Sequence, residues 1–437
     1  MQFRYGLDEK PPLIKTLLFG FQWAALLIST IIILGKVVGT IHYPDQYGQI
    51  LYLQKLLFLS SVTLVIQIFY GHRLPLLPGP SAVLLIGVIA CRSFSISEIY
   101  SSIIIGGAVI AVFSASGLSV YINRFFTGNV ISVVLILIAF TIAPTIMELM
   151  TDKKSGVDPA VNLGFSLVAV FIMFLMHRVL KGILKSTIII WAVILGTFIY
   201  NTYFAVNIAS VPDNLRWANS FLKDMNFQLS FHPGVIVSFM FCFIALVIND
   251  LGSIQSVNEV IETVDRDRRV KRGLIITGAS NIAAGFMGII GPVNYSISPG
   301  VMLNTGCASR YTLIPAGVIM FLLSLMPVVT GYMGNIPSVV IGSILAYVMA
   351  SQIAAGLIVA FRETETTGFR MENGMVIGIS IFLGTIVAFL PQNVIESIPV
   401  YLRPVLTNGF VAGVICAVIV EQILFKKNRQ TENDQGK

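Results

Sequence analysis

Residues 291–306 read GPVNYSISPGVMLNTG and lie between two long apolar runs of the chain. Their position predicts membrane depth, yet they include two prolines, three glycines and several Asn, Ser and Thr side chains. Backbone in hydrocarbon must satisfy its own hydrogen bonds, so an interrupted segment is tolerated there only if it is buried in protein or lines a cavity. A short segment of this kind is typical of a transporter binding site, and residues 77–82 (LPGPSA) look like its partner.

The composition indicates a polytopic membrane protein. Of the 437 residues, 56% are hydrophobic and only 11% are charged, against about 25% charged residues in soluble domains. The net charge of +7 comes from bases in short segments between apolar runs, which is the pattern of topology determinants and excludes a nucleic-acid-binding face. The four cysteines show no metal-ligand or disulfide spacing, so we expect packed thiols and no metal or other cofactor.

Apolar runs near the roughly 20 residues needed to span a bilayer predict about fourteen segments in an all-α membrane protein. They cover residues 14–38, 50–70, 81–91, 102–120, 130–146, 161–176, 186–203, 235–257, 273–290, 295–305, 313–329, 339–360, 374–390 and 405–425. The third and tenth segments are the short, interrupted ones. The first run, about 25 residues long, is too long for a signal-peptide core and is interpreted as a spanning helix.

The segments form two sets of seven, and an odd number inverts the second set relative to the first, as in transporters built from inverted repeats. Residues 1–205 form the first predicted repeat, 206–234 an extracellular loop, 235–425 the second repeat and 426–437 a cytoplasmic tail. Most of the 28 Lys and Arg residues then fall on the side of the N-terminus. This bias predicts that both termini are cytoplasmic in a multi-pass plasma-membrane protein.

Asp250 is the only carboxylate well inside a predicted span. An ionisable group there is costly and is a functional candidate by default. Because desolvation favours the protonated form of a carboxylate, Asp250 could take and release a proton as a site opens and closes. The alternative is an Asp whose hydrogen bonds to neighbouring helices satisfy it, or one that lies near the cytoplasmic end of its helix.

The two interrupted segments predict half-helices whose N-termini face each other near the midplane, where free N–H groups favour an anionic or carbonyl-bearing ligand. The alternative is a pair of simple kinks. Gln22 and Trp23 would face the same cavity, where Trp23 could stack on a planar ligand, although a lipid-facing Trp is an alternative. The four histidines fall outside the segments or at their ends, so a buried histidine proton relay is not expected.

The chain resembles the nucleobase–ascorbate transporter family (nucleobase:cation symporter-2), which contains bacterial purine and uracil permeases, from residue 14 to residue 425. The family signature is Gln, Glu or Pro, then Asn, any residue, Gly, four residues, Thr, and Arg, Lys or Gly. Residues 297–306 (ISPGVMLNTG) match it at Gly300, Thr305 and Gly306 but not at Ile297 or Ser298. Residues 74–81 (LPLLPGPS), 272–288 and 336–342 (IPSVVIG) are similar to further family patterns, and Gln22 matches the first residue of a Gln-His pair in which Trp23 replaces the His.

Two departures bear on the binding site. The family places a substrate-binding Glu in the eighth segment where this chain has Asn249, with Asp250 next to it. One residue turns a side chain by about 100° around a helix, so Asp250 need not point where that Glu would. The second acidic or amide group of the family aligns with Ile297. These departures weaken the polar clamp on a nucleobase edge and tilt the expectation towards purines.

The resemblance implies a core domain (residues 14–120 and 235–329) that moves against a gate domain (130–203 and 339–425) in alternating access. It also implies that the small-molecule partner is a nucleobase and that the protein forms a homodimer. The implied coupling is proton symport, with sodium as the alternative coupling ion. The implied proton-coupling group is Asp250. The implied substrate site consists of Asp250, Asn249, Ser298, Gly300, Ala82, Gln22, Trp23 and Ile297.

Two other functions stay open from the sequence. An anion carrier of the sulfate-permease type shares the implied architecture, although such carriers usually add a large cytoplasmic domain. A non-transporting sensor is the second alternative. An enzyme is not expected, because no catalytic group of Ser, His and Asp, paired carboxylates or metal-binding His occurs at membrane depth.

Overall fold

The computed structural model describes residues 3–117, 127–181, 184–185, 187–204, 221, 228–261, 263, 265–363, 370–399 and 402–425. Most of the predicted extracellular loop 206–234 and all of the predicted tail 426–437 lie outside these ranges.

The first half of the chain is helical except for one three-residue strand. Local sequence fixes several helix starts: the Asp45 carboxylate accepts from the Gly48 N–H, and Ser95 and Glu98 form a reciprocal capping box. The elements are α1 Leu13–His42, α2 Gln46–Phe69, β1 Pro78–Pro80, α3 Ala82–Ala90, α4 Ile96–Ala115, α5 Gly128–Met150, α6 Pro159–Val179 and α7 Ile188–Phe204.

The second half repeats this order at its start: two helices, a short strand, then a half-length helix. Its elements are α8 Pro233–Ile261, α9 Arg266–Met287, β2 Pro292–Asn294, α10 Ser298–Thr305, α11 Leu313–Ser324, α12 Pro327–Gly334, α13 Ser338–Glu363, α14 Met371–Ala388, α15 Gln392–Ser397, α16 Arg403–Leu406 and α17 Gly409–Ile419.

Eight helices among the described residues are long and apolar enough to cross a membrane, or nine if a bent pair counts as one span. That pair corrects the prediction of one straight segment over 313–329, because α11 and α12 are bent by 96°. Pro327 at the start of α12 cannot donate a backbone hydrogen bond into the preceding turn, so the helix breaks there. The predicted segment 405–425 is likewise interrupted, by a turn at Thr407 between α16 and α17.

The sequence did not reveal that the two interrupted segments pair as antiparallel strands. Pro78 lies opposite Asn294, Gly79 opposite Val293 and Pro80 opposite Pro292. All six residues are buried, so this short ladder satisfies backbone groups in the interior of the bundle.

Helices of the two halves pack against each other around this ladder: α4 against α9, α2 against α11, and α3 against α8. A second group consists of α5, α13, α14 and α17. The crossing of α4 and α9 depends on glycine, since a Cβ on Gly107 would lie 2.8 Å from the Gly278 carbonyl oxygen. Small residues allow such close approach of membrane helices.

Candidate functional site

The candidate site lies where the paired strands β1 and β2 each lead into a half-length helix; we call this point the strand crossing. The Tyr295 N–H donates to the Leu77 carbonyl at 2.9 Å, and the Ser81 N–H donates to the Gly291 carbonyl at 3.0 Å. The Leu77 N–H donates to Ser298 Oγ at 3.2 Å. These bonds fix the starts of α3 and α10 beside each other.

The two half-helix N-termini differ in how they are capped. At α3, Ser81 Oγ accepts from the Leu84 N–H, whereas at α10 the N-cap residue is Ile297, which supplies no side-chain cap. Ile297 is 44% exposed, and a Cβ placed on the exposed Gly300 would meet no heavy atom within 4 Å. In the first turn of α10 the Ser298 N–H donates to the Tyr295 carbonyl, the Val301 N–H donates to the Ile297 carbonyl, and Pro299 has no N–H. The Gly300 N–H is therefore the group that faces open space, where it suits an anionic or carbonyl-bearing group.

Asp250 lies on α8 against this crossing and is completely buried. One carboxylate oxygen accepts from the Asn294 backbone N–H at 3.0 Å and from its side-chain amide at 2.6 Å, and the other accepts from Thr277 Oγ1 at 2.7 Å. No Lys or Arg of the described part of the chain forms an ion pair with it. In this conformation the carboxylate is thus saturated by β2 and α9 and does not line open space.

The network continues to His72, which lies between α2 and β1, outside the predicted spanning segments. His72 is fully buried; its Nε2 lies 3.3 Å from Asn294 Oδ1, and its Nδ1 accepts from the Leu74 N–H at 3.0 Å. These contacts match the neutral tautomer that carries its proton on Nε2. Only Asn294 therefore separates His72 from Asp250.

Burial is the main cause that lowers the pKa of His72 to about 3. The hydrogen bond that His72 makes to Asn294 raises this pKa, and the nearby charge of Arg269 lowers it. The imidazole is therefore neutral at physiological pH and serves as a hydrogen-bond donor to Asn294. Gln67 closes the network from α2: its side-chain amide donates to Thr277 Oγ1 at 3.2 Å and to the Gly273 carbonyl at 3.0 Å.

Asn249 differs from its neighbour Asp250 in the way the 100° helical turn predicts. Its side chain is half-buried and has no hydrogen-bond partner among the described residues. Its helix α8 packs against α3, α10 and β2. Asn249 is thus a half-buried polar side chain on the helix that packs against both half-helices.

The remaining predicted residues lie on elements around the same crossing. Ala82 is the half-buried first residue of α3, and Ser298 is the fully buried first residue of α10. Gln22 (6% exposed) and Trp23 (3% exposed) lie inside α1, which contacts β1 and α3. The Trp23 indole N–H donates to Thr312 Oγ1 at 3.2 Å, which ties the ring to the start of α11 and rules out the lipid-facing alternative.

Sequence reasoning missed Thr277, Asn294 and His72. Asn294 belongs to the interrupted stretch itself, and its polarity was the only available signal. Within the described residues no group of three or more His, Cys, Asp or Glu side chains could hold a metal ion.

Comparisons with known proteins agree with this architecture. The Xan_ur_permease model, described as Permease family, matches residues 14–393. A putative purine permease of Clostridium perfringens is 24% identical over 96% of this chain and 92% of its own length. The xanthine permease of Bacillus subtilis is 24% identical over 96% of both chains. Nucleobase-ascorbate transporter 11 of Arabidopsis thaliana is 21% identical over 89% of this chain and 61% of its own.

Solved structures share the fold at low sequence identity. The transmembrane domain of a cyanobacterial bicarbonate transporter, BicA, matches with a TM-score of 0.63 and 15% identity over 95% of this chain and all of that domain. The structure of SLC26A9 matches with a TM-score of 0.58 and 15% identity over 94% of this chain and 65% of its own. The fold is therefore that of a helical membrane transporter.

Proposed function

The chain belongs to the Permease family, so it is a transporter and not an enzyme, and we propose that it takes up a nucleobase, a purine such as xanthine, by proton symport. The carrying observation is the start of α10, which has no side-chain cap and packs against the helix that carries Asn249 and the fully buried Asp250. The purine and xanthine permeases among its relatives support the substrate class.

The substrate site lies between the half-helices and α8. The Gly300 backbone N–H bonds a ring carbonyl, and the Asn249 amide, which can donate and accept, bonds a ring N–H and a neighbouring carbonyl. Ala82 and Ile297 border the site, while Ser298 fixes the start of α10 by accepting from the Leu77 N–H. A site built to hydrogen-bond its substrate rejects analogues that lack one hydrogen-bonding group.

Asp250 is the proton-coupling group and acts through Asn294 and Thr277. As a carboxylate it accepts all three hydrogen bonds from these residues. Protonation turns one oxygen into a donor, so either the bond with the Thr277 hydroxyl reverses or a bond from the Asn294 N–H groups breaks, and β2 is held differently against α8 and α9. Because β2 leads directly into α10, proton binding changes the geometry of the substrate site. Sodium is the other coupling ion that the test must consider.

We further propose fourteen spans in two inverted repeats, with a core domain (residues 14–120 and 235–329) and a gate domain (130–203 and 339–425). The reciprocal packing of α2 on α11 and of α9 on α4 supports this, because a two-fold relation between halves exchanges the two pairs. The grouping of α5, α13, α14 and α17 supports a separate gate. Alternating access then moves the core against the gate, in a plasma-membrane protein with cytoplasmic termini that forms a homodimer.

An uptake assay tests the function. Cells that lack their own nucleobase permeases receive the native chain, Asp250→Asn or, as a matched control, Asp158→Asn, which alters an exposed acid at the start of α6. Uptake of radiolabelled xanthine, guanine, hypoxanthine, adenine and uracil is measured with and without a protonophore and in sodium-free medium.

We expect protonophore-sensitive uptake of a purine that survives sodium removal, is lost in Asp250→Asn and persists in Asp158→Asn. Full-rate, protonophore-sensitive uptake by Asp250→Asn would refute the coupling role. Absence of uptake of all five bases by the native chain, with bicarbonate or sulfate transported instead, would replace the nucleobase assignment by the anion carrier that the shared fold allows.

A further inference from the structure

The N-terminal segment of the chain pairs through its backbone with the stretch that follows α10. The Arg4 N–H donates to the Gly306 carbonyl at 2.9 Å, the Ala308 N–H to the Tyr5 carbonyl at 2.9 Å, and the Arg310 N–H to the Leu7 carbonyl at 3.1 Å. Tyr5 and Cys307 form a parallel bridge. Residues 4–9, which we call the N-terminal strap, therefore run alongside residues 306–310.

Side chains lock this strap at its far end. The Arg310 guanidinium forms an ion pair with Asp8 at 2.8 Å and donates to the Ile68 carbonyl, at the end of α2, at 2.7 Å. Ser309 Oγ donates to the Glu9 carbonyl. The Arg310 side chain is 14% exposed and the Asp8 side chain is 65% exposed. Arg310 is therefore the partner held in the core, and Asp8 is the solvent-accessible partner on the strap.

The residues under the strap connect directly to the proposed substrate site. Gly306, whose carbonyl receives the Arg4 N–H, ends α10 in the left-handed conformation at φ 65°. Helix α10 has only eight residues, and its other end is the uncapped N-terminus beside Gly300. A short, uncapped helix has little stability of its own, so its position depends on what holds its two ends.

We propose that the N-terminal strap is a positioning element for transport: by pairing with residues 306–310 it holds the cytoplasmic end of α10 and so keeps the start of α10 aligned for substrate. Arg310 and Asp8 are the positioning residues that keep the strap in place. The effect on substrate affinity rests on the proposed function, whereas the effect on α10 does not.

Cys307 supplies a built-in reporter. It is 4% exposed beneath Tyr5, and burial raises the pKa of its thiol, so it reacts slowly while the strap is bound. Cys91 and Cys242 are fully buried inside the helical bundle, and labelling of either would report unfolding. Because Cys416 is half-buried and could also be labelled, it is first replaced by Ser. The Cys416→Ser protein is the parent chain from which the variants below are made.

The experiment compares Asp8→Arg, the conservative variant Asp8→Glu, which keeps a carboxylate for Arg310, and the control Glu148→Arg, an exposed charge reversal on α5. The full-length parent chain in detergent is treated with a maleimide, and amide hydrogen exchange is followed over residues 298–305. For Asp8→Arg we expect faster Cys307 labelling by about two- to fivefold, the scale of a partly exposed ion pair, and faster exchange in α10. KM for the transported nucleobase should rise by a similar factor at an unchanged maximal rate.

Asp8→Glu should retain slow labelling and slow exchange, and Glu148→Arg should behave as the parent chain. Unchanged Cys307 labelling in Asp8→Arg would refute the claim that the ion pair of Asp8 and Arg310 holds the strap in place. Faster labelling with unchanged exchange in α10 would refute the positioning role. Labelling and exchange in Asp8→Glu as fast as in Asp8→Arg would refute the ion pair as its cause. Because labelling and exchange need no substrate, they decide the strap's role even if no nucleobase is transported.

Discussion

Asn294 holds one carboxylate oxygen of Asp250 twice, through its backbone N–H at 3.0 Å and its side-chain amide at 2.6 Å. The same residue is the last of β2 and lies opposite Pro78 of β1. A single residue thus joins the strand ladder, the buried carboxylate of α8 and, through its amide oxygen, His72. Direct hydrogen bonds therefore join the Asp250 carboxylate to the strand that leads into α10.

Replacing Thr277 by Val should destabilise the protein by about 1–3 kcal/mol, because it leaves one oxygen of a buried carboxylate without its donor. The shape of the side chain is preserved, so packing contributes little. Thermal unfolding in detergent measures the change. Thr305→Val is the matched control, since that hydroxyl bonds only to carbonyls of its own helix. Equal destabilisation by both substitutions would contradict the importance of the network.

Stability should fall as the pH drops below about 6.5, and His72 should account for part of the loss. Its pKa is lowered to about 3 in the folded protein from 6.5, so the unfolded chain binds a proton that the folded chain does not. The stability that neutral His72 contributes is therefore present above pH 6.5 and is lost progressively down to about pH 3, with a slope of about 1.4 kcal/mol per pH unit.

His72→Gln tests this assignment, because Gln keeps a donor for Asn294 but does not titrate. The difference in unfolding free energy between pH 7.5 and pH 5 should be smaller for His72→Gln than for the native chain. An identical pH dependence in both proteins would show that other groups cause the loss.

The sequence predicted the two half-helices because Pro and Gly at membrane depth are a local signal. It could not predict the β1–β2 ladder, since three-residue strands that contain proline carry no period-two pattern and pair across more than 200 residues. It also singled out Asp250, as the only carboxylate well inside a predicted span. It could not predict the partners of Asp250, because side-chain direction changes by about 100° per residue and a small error in helix register changes what a side chain contacts. The bend between α11 and α12 did have a local signal, Pro327, which the apolar run obscured.

The contact between α4 and α9 should tolerate no added atom at Gly278. A Cβ there would lie 2.7 Å from the Ala111 nitrogen and 2.8 Å from the Gly107 oxygen, both of which are backbone atoms. Gly278→Ala should therefore cost about 1–3 kcal/mol of unfolding free energy through overpacking. Gly252→Ala on α8, where a Cβ meets nothing within 4 Å, is the matched control. Equal stability of the two variants would refute the close packing of these helices.

Gly79 and Gly300 occupy the two interrupted segments, yet Ala should act differently at each. At Gly79 a Cβ would lie 2.5 Å from Tyr295 Oη and 2.6 Å from Leu27 Cδ1. Because Tyr295 Oη donates to the Pro80 carbonyl at 2.9 Å, the methyl group would push apart the strand crossing itself. Gly79→Ala should lower the thermal unfolding temperature and abolish uptake.

At Gly300 the methyl group enters open space, and Ala favours the helical conformation by about 0.5–1 kcal/mol relative to Gly. Gly300→Ala should therefore retain or raise thermal stability. Its methyl group would nonetheless occupy the space in front of the α10 N-terminus, so KM for the nucleobase should rise while the amount of folded protein in the membrane stays constant. An unchanged KM in Gly300→Ala would place the substrate away from the first turn of α10, whereas a loss of stability equal to that of Gly79→Ala would show that the space beside Gly300 is filled by protein.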